Sequence, residues 1–170
     1  RWRVWYKKMA TPRRVVDVGG VQVGRGFTLI GGPCVIEDEG LTLAVAREAA
    51  RVCLELGVGY IFKSSYLKDN RTTHTSYQGP GLTKGLEILA RIRQEVGVPV
   101  LSDVHTPAEV EPAAAVLDCL QLPAYLSKQT QLALALGQSG KPVNVKKGQI
   151  LKPEQITIPV RKLEAAGNHN

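Results

Sequence analysis

No stretch of about 18 consecutive apolar residues occurs in the chain, so nothing in it reads as a membrane-spanning helix. The basic, aromatic start, Arg1 to Lys8, lacks the apolar core of a secretory leader, and Met9 follows at once. Residues 1–8 are therefore expected to be an extension ahead of a domain covering 9–170, a genuine basic tail being the alternative. The three cysteines, Cys34, Cys53 and Cys119, are odd in number and never in C-x-x-C spacing. That argues against a disulfide framework and makes reduced thiols in a cytoplasmic protein the expectation. Neither G-x-G-x-x-G nor G-x-x-x-x-G-K-[ST] is present, which removes the commonest nucleotide-binding loops. Low-complexity tracts are absent too, and the 17 glycines and 10 prolines stand singly between periodic segments, where they punctuate structure.

The composition, 44% hydrophobic and 22% charged, suits one globular domain with a real core. The net charge of +7 is concentrated partly at Arg1, Arg3, Lys7, Lys8 and Arg13. The remaining cations cluster with Gly, Asn and Thr rather than with aromatics. Anionic small molecules explain that pattern at least as well as nucleic acid, which is not expected as a partner.

Residues 15–23 alternate around Gly19-Gly20 and predict a β-hairpin. A strand-then-helix unit then repeats: strand 28–34 with helix 41–56, strand 60–65 with helix 82–96, and strand 99–104 with a helix from Pro107. Strand 119–124 with helix 129–138 and strand 142–147 with helix 153–166 complete the series. Leu41, Val45, Ala49, Val52 and Leu56 are expected to form the buried stripe of the first helix, with Gly57 ending it. Such alternation means parallel βαβ units. The expected fold is α/β: a partial (β/α)8 barrel with an N-terminal hairpin, about five of eight units present. A full barrel takes roughly 250 residues, and a sixth strand would begin near Gly167.

Polar residues fall at the carboxyl ends of these strands, where barrels carry their chemistry: Cys34, Glu37, Lys63, Asp103, His105, Gln121 and Lys146. The loop Lys63-Ser64-Ser65-Tyr66-Leu67-Lys68-Asp69-Asn70-Arg71-Thr72-Thr73 is the richest. Its lysines, arginine, amide and hydroxyls can neutralise and hydrogen-bond phosphate or carboxylate oxygens, unless it is simply a solvated loop. Tyr77-Gln78-Gly79-Pro80-Gly81-Leu82 then lets the backbone bend closely before the next helix.

These two stretches resemble K-[SA]-S-F-D-K-A-N-R-S-S and S-[FY]-R-G-P-G-L of the 3-deoxy-D-manno-octulosonate 8-phosphate (KDO8P) synthases. The likeness runs over residues 15–166 and includes Gly31-Gly32-Pro33-Cys34-Val35-Ile36-Glu37, Ser102-Asp103-Val104-His105, Leu120-Gln121-Leu122-Pro123-Ala124 and Val143-Asn144-Val145-Lys146-Lys147-Gly148-Gln149. The resemblance implies condensation of phosphoenolpyruvate with arabinose 5-phosphate and water, giving KDO8P and phosphate. It implies that Lys63 and Lys146 hold phosphoenolpyruvate, and that Lys68, Asn70, Arg71 and Thr72 bind the sugar phosphate. Asp103 and Gln121 are implied as polar pocket residues, with His105 and Gln149 as further candidates. A homo-oligomer, tetrameric in the family, is implied as well.

Cys34 alone reads as a small buried hydrophobe. In the metal-dependent branch of this family, however, the cysteine of G-P-C ligates a divalent ion, so the resemblance implies zinc, iron or manganese with Cys34 as one ligand. The other family ligands come from later strands. Cys53 and Cys119 read as packing, and His74 and His169 as surface residues. Four departures stand out: Leu67 for aspartate, Asp69 for alanine, Lys128 for an arginine that reaches the sugar phosphate across a subunit interface, and Gln131 for aspartate. Lysine at 128 keeps the charge but loses the bidentate fork. The sister condensation with erythrose 4-phosphate (DAHP synthesis) is the enzymatic alternative, although its second-strand loop typically reads K-P-R-T. A non-catalytic anion-binding fragment is the other, and the 170-residue chain alone is expected to lack synthase activity.

Overall fold

A computed structural model describes residues 14–170; the N-terminal 1–8 segment lies outside the described residues. The hairpin pairs β1 (Val16–Val18) with β2 (Val21–Val23), antiparallel, and Gly19 and Gly20 supply the positive φ angles its two-residue turn requires.

Five parallel strands follow: β3 (Thr28–Gly31), β4 (Gly59–Lys63), β5 (Val100–Asp103), β6 (Cys119–Leu122) and β7 (Val143–Val145). They lie side by side in chain order, so each unit adds one strand to the same edge. Between and after them come α1 (Glu39–Glu55), α2 (Leu82–Val96), α3 (Val110–Val116), α4 (Thr130–Gln138) and α5 (Thr157–Ala165). This is a curled half-barrel sheet with helices on its outer face, as the strand–helix alternation predicts. Among the described residues the sheet is open, with β3 and β7 as its edges.

Three sequence expectations shift in detail. The strands end earlier than predicted, and 3-10 turns at Pro107–Glu109 and Pro153–Ile156 precede α3 and α5. Proline at the first turn of each explains the start, since its missing N–H is one that no helix would satisfy there. The buried stripe of α1 is also different: Thr42, Ala46 and Cys53 are buried, whereas Leu41 and Leu56 are exposed. Asp38 starts this helix, its carboxylate accepting the Leu41 N–H at 2.7 Å as an N-cap.

Strand parity decides where the chemistry goes. Phe62, Val100, Leu120 and Leu122 point outward into the helix-packed core with Leu89, Ile92 and Leu136. Ile61, Leu101 and Cys119 point inward, where Val18 and the rest of the hairpin cover them. Two residues further along these same strands, on the same face, stand Lys63, Asp103 and Gln121. The barrel interior is therefore layered: an apolar floor plugged by the hairpin, and a polar layer above it at the carboxyl ends.

Candidate active site

Asp103 is the hub of that polar layer. It is only 4% exposed, and its two oxygens face different cations. Lys63 Nζ lies 3.5 Å from Oδ1, and Lys68 Nζ 3.6 Å from Oδ2. The Ser65 hydroxyl donates to Oδ1 while accepting from Lys63 Nζ at 2.8 Å. His105 Nε2 stands 3.4 Å from Oδ2. Burial alone would raise the Asp103 carboxyl pKa. Hydrogen bonding from His105, the Lys63 charge, the Ser65 hydroxyl and the Lys68 charge outweigh it and hold the group well below the usual carboxylate range. For Lys63 burial wins: its pKa is lowered despite the attraction of Asp103, with the neighbouring charge of Lys68 pushing the same way.

Above this hub opens a cleft of about 140 Å³, several times the volume one water occupies in the liquid. Lys68, Asn70, Asp103, His105, Gln121, Lys146 and Gln149 all line it. Gln121 is held by its register partner Asn144, which donates its side-chain amide to Oε1 at 2.8 Å. Lys146 follows directly on β7, its N–H donating to the Leu122 carbonyl at 3.1 Å and so extending the ladder with β6. Lys63 reaches the cleft through Asp103 rather than lining it.

The loop after β4 is tied back to the sheet at several points. Lys68 N–H donates to the Gln78 carbonyl at 2.6 Å, and Gly81 N–H to the Tyr66 carbonyl at 3.1 Å. The Tyr77 hydroxyl donates to the Ile36 carbonyl at 3.0 Å. Gly79 takes a φ of +118°, and a side chain there would overlap the Tyr66 carbonyl, so only glycine lets the loop return this closely.

Not every sequence candidate meets in the cleft. Arg71 is exposed, its Nε donating to the Tyr77 carbonyl at 3.0 Å, and Thr72 is exposed beside it; neither lines the cleft. Lys128 is exposed as well, and its carbonyl accepts from Lys162 Nζ at 2.8 Å. Cys34 is exposed rather than buried, at the end of the β3 segment, with its carbonyl accepting the Ser65 N–H at 3.4 Å. Cys53 and Cys119 are buried, and His74 and His169 exposed. Among the described residues no three His, Cys, Asp or Glu side chains gather closely enough to hold a metal ion. Cys34 offers one thiol, and the described residues by themselves do not make a metal centre.

Sequence reasoning passed over four residues that organise this site. Ser65, fully buried, lies on the Lys63 face two positions on, a spacing that strand parity makes readable. Asn144 is legible only once the β6–β7 register is known. Glu109 and Tyr66 form a second layer behind His105. The Tyr66 hydroxyl donates to Glu109 Oε2 at 2.8 Å, and the His105 backbone N–H donates to the same oxygen at 3.0 Å. Burial, and then the bond to Glu109, push the Tyr66 phenol far above its ordinary pKa.

Comparison with known proteins agrees with this architecture. The family model described as "DAHP synthetase I family" matches residues 10–170. The 2-dehydro-3-deoxyphosphooctonate aldolase of Geobacter sp. (strain M21) is 49% identical over 159 residues, covering 92% of this chain and 58% of the relative. The protein of that name from Syntrophotalea carbinolica is 54% identical over 140 residues, 82% of this chain and 50% of the relative. The one from Paracidovorax citrulli is 52% identical over 150 residues, 88% and 52% respectively. The chain thus spans between half and three fifths of the length of these relatives.

Proposed function

Because the chain belongs to the DAHP synthetase I family, we propose that its cleft is part of an active site condensing phosphoenolpyruvate with arabinose 5-phosphate. In that reaction C3 of phosphoenolpyruvate bonds to the aldehyde carbon, water supplies the new oxygen at C2, and the bond from C2 to the phosphate oxygen breaks. The products are KDO8P and inorganic phosphate. Both substrates are anions, and the observation that carries this reading is the convergence of Lys68, Lys146, Asn70, Gln121 and Gln149 on one cleft, with Lys63 behind Asp103. Cations and amides fixed on strand ends can meet negative charge as it moves to the departing phosphate, with little reorganisation.

Within this reading Lys63 and Lys146 hold phosphoenolpyruvate, and Lys68 and Asn70 face the sugar phosphate. Arg71 and Thr72, which lie outside the cleft, take the far end of the sugar phosphate. Lys128 serves a neighbouring subunit of a homo-oligomer. Asp103 aligns Lys63 and Lys68 for the incoming substrate, and His105 shares the same carboxylate. Cys34 is one ligand of a divalent metal whose other ligands lie outside the described residues, so no step here is routed through it. A biosynthetic role in the cytoplasm, making the sugar for lipopolysaccharide, follows from the product.

Synthesis of a seven-carbon sugar from erythrose 4-phosphate is the second reading, favoured by the name of the matching family. The names of the relatives, at 49–54% identity, favour the eight-carbon product. Calorimetric titration with phosphoenolpyruvate, arabinose 5-phosphate and erythrose 4-phosphate separates the readings. Binding of the first two, with the four-carbon sugar weaker, is expected. Preference for erythrose 4-phosphate overturns the assignment, and failure to bind any of the three overturns the active-site reading altogether.

A further inference from the structure

His105 has a carboxylate at each end of its ring. Nε2 lies 3.4 Å from Asp103 Oδ2, and Nδ1 lies 3.7 Å from Glu109 Oε2. The ring is nearly buried, its side chain 12% exposed, and Nδ1 is enclosed without a hydrogen-bond partner. A neutral imidazole has one N–H and one lone pair. Whichever nitrogen kept the lone pair would then face a carboxylate across less than 4 Å, on a side chain that is nearly buried. Glu109 sharpens the conflict. Its side chain is 17% exposed, and it accepts hydrogen bonds from the Tyr66 hydroxyl and the His105 N–H, both neutral donors. Among the described residues no lysine or arginine pairs with it. Asp103, by contrast, already faces Lys63 and Lys68.

The other groups around the ring do not resolve this. Tyr66 meets it edge-on, with centroids 5.7 Å apart and planes at 84°. Lys68, Lys146 and Asp69 line the cleft on its open side.

We propose that Glu109 is a positioning residue that clamps His105 against Asp103 with an N–H on both ring nitrogens, giving the anion cleft a further positive charge beside its lysines. Contacts of 3.4 and 3.7 Å are long for hydrogen bonds, but opposite charges within about 4–6 Å of one another still favour the charged form. The spacing His105 to Glu109 is one turn, and the intervening Pro107 fixes the 3-10 turn that brings the carboxylate back under the ring. The benefit of the added charge rests on the anionic-substrate reading above; the state of the ring does not.

The test uses the 170-residue protein labelled with 15N-histidine, followed by long-range 1H–15N correlation of the ring nitrogens at pH 7. In the unaltered protein both His105 nitrogens are expected at protonated-type shifts. In Glu109→Gln, which keeps the shape and can still accept from Tyr66, one nitrogen is expected to move to the lone-pair position. Tyr66→Phe removes only the phenol and is expected to leave both protonated. A single protonated nitrogen in the unaltered protein, or identical spectra for it and Glu109→Gln, overturns the proposal. Titration of the unaltered protein with inorganic phosphate tests the anion-site reading separately: if the ring behaves as expected but phosphate does not bind, the clamp stands and the anion-site reading falls.

Discussion

Lys63 and Asp103 face one another across adjacent strands, Nζ 3.5 Å from Oδ1, with Ser65 bonded to both. The pair is nearly out of water, so its energetics appear in the pH dependence of stability. The Asp103 carboxyl is held below its ordinary pKa in the folded chain. The unfolded chain therefore binds the proton first as pH falls, and folding loses support on acidification. That support is complete above about pH 5, begins to drain near pH 4 and is fully lost only once pH has fallen through the depressed folded-state pKa. Urea midpoints measured across this range should fall steeply for the unaltered protein and less steeply for Asp103→Asn. Parallel acid limbs for the two proteins would remove Asp103 as the source.

Under the proposed function, the subsites for the two anions should be separable by mutation. Lys63→Met keeps the aliphatic stem and deletes the charge, and is expected to weaken phosphoenolpyruvate binding by about tenfold or more, as for loss of one charge-assisted hydrogen bond. Arg71→Ala, outside the cleft, should leave phosphoenolpyruvate affinity within about twofold and weaken arabinose 5-phosphate instead. Calorimetry on each variant with each ligand reads this directly. An Arg71→Ala variant that loses phosphoenolpyruvate as severely as Lys63→Met would merge the two subsites into one.

Most of the architecture is legible without coordinates, because a parallel βαβ series leaves little freedom: strand runs, helix stripes and right-handed crossovers leave few alternatives. Lys63, Asp103, Gln121 and Lys146 could be placed at strand ends for the same reason. Contacts that depend on register or loop closure could not be read. Gln121 finds Asn144 only because β6 and β7 align them. Arg71 turns toward the Tyr77 carbonyl through the path of its own loop. The stripe of α1 was misplaced because apolar spacing admits more than one phase; Leu41 fits the pattern but lies beside the Asp38 cap, facing solvent.

Thiol chemistry checks the placement of Cys34. It is exposed, whereas Cys53 and Cys119 are buried, and burial pushes the Cys119 thiol up to about 12. An aromatic disulfide reagent should therefore release one rapid equivalent from the folded protein, and two more only on unfolding. Cys34→Ser should abolish the rapid phase and nothing else. A rapid phase surviving in that variant would mean that one of the buried thiols is accessible.

Gly85 links the outer helix to the site. It lies on the buried face of α2, and a Cβ built there would overlap the Tyr66 side chain, whose hydroxyl bonds Glu109 behind His105. Two effects oppose each other in Gly85→Ala. Helix propensity favours alanine by about 1 kcal/mol. Overpacking against a fully buried ring in the loop after β4 costs roughly 1–3 kcal/mol. Because the obstructing atoms are the Cβ and backbone of Tyr66 rather than a flexible tip, the clash should win, for a net loss of up to about 2 kcal/mol in urea unfolding. The double change Gly85→Ala with Tyr66→Ala should not recover it, since the Cα and Cβ of residue 66 remain in place. A single Gly85→Ala variant more stable than the parent would show that α2 can shift away from the sheet, and with it the support beneath the cleft.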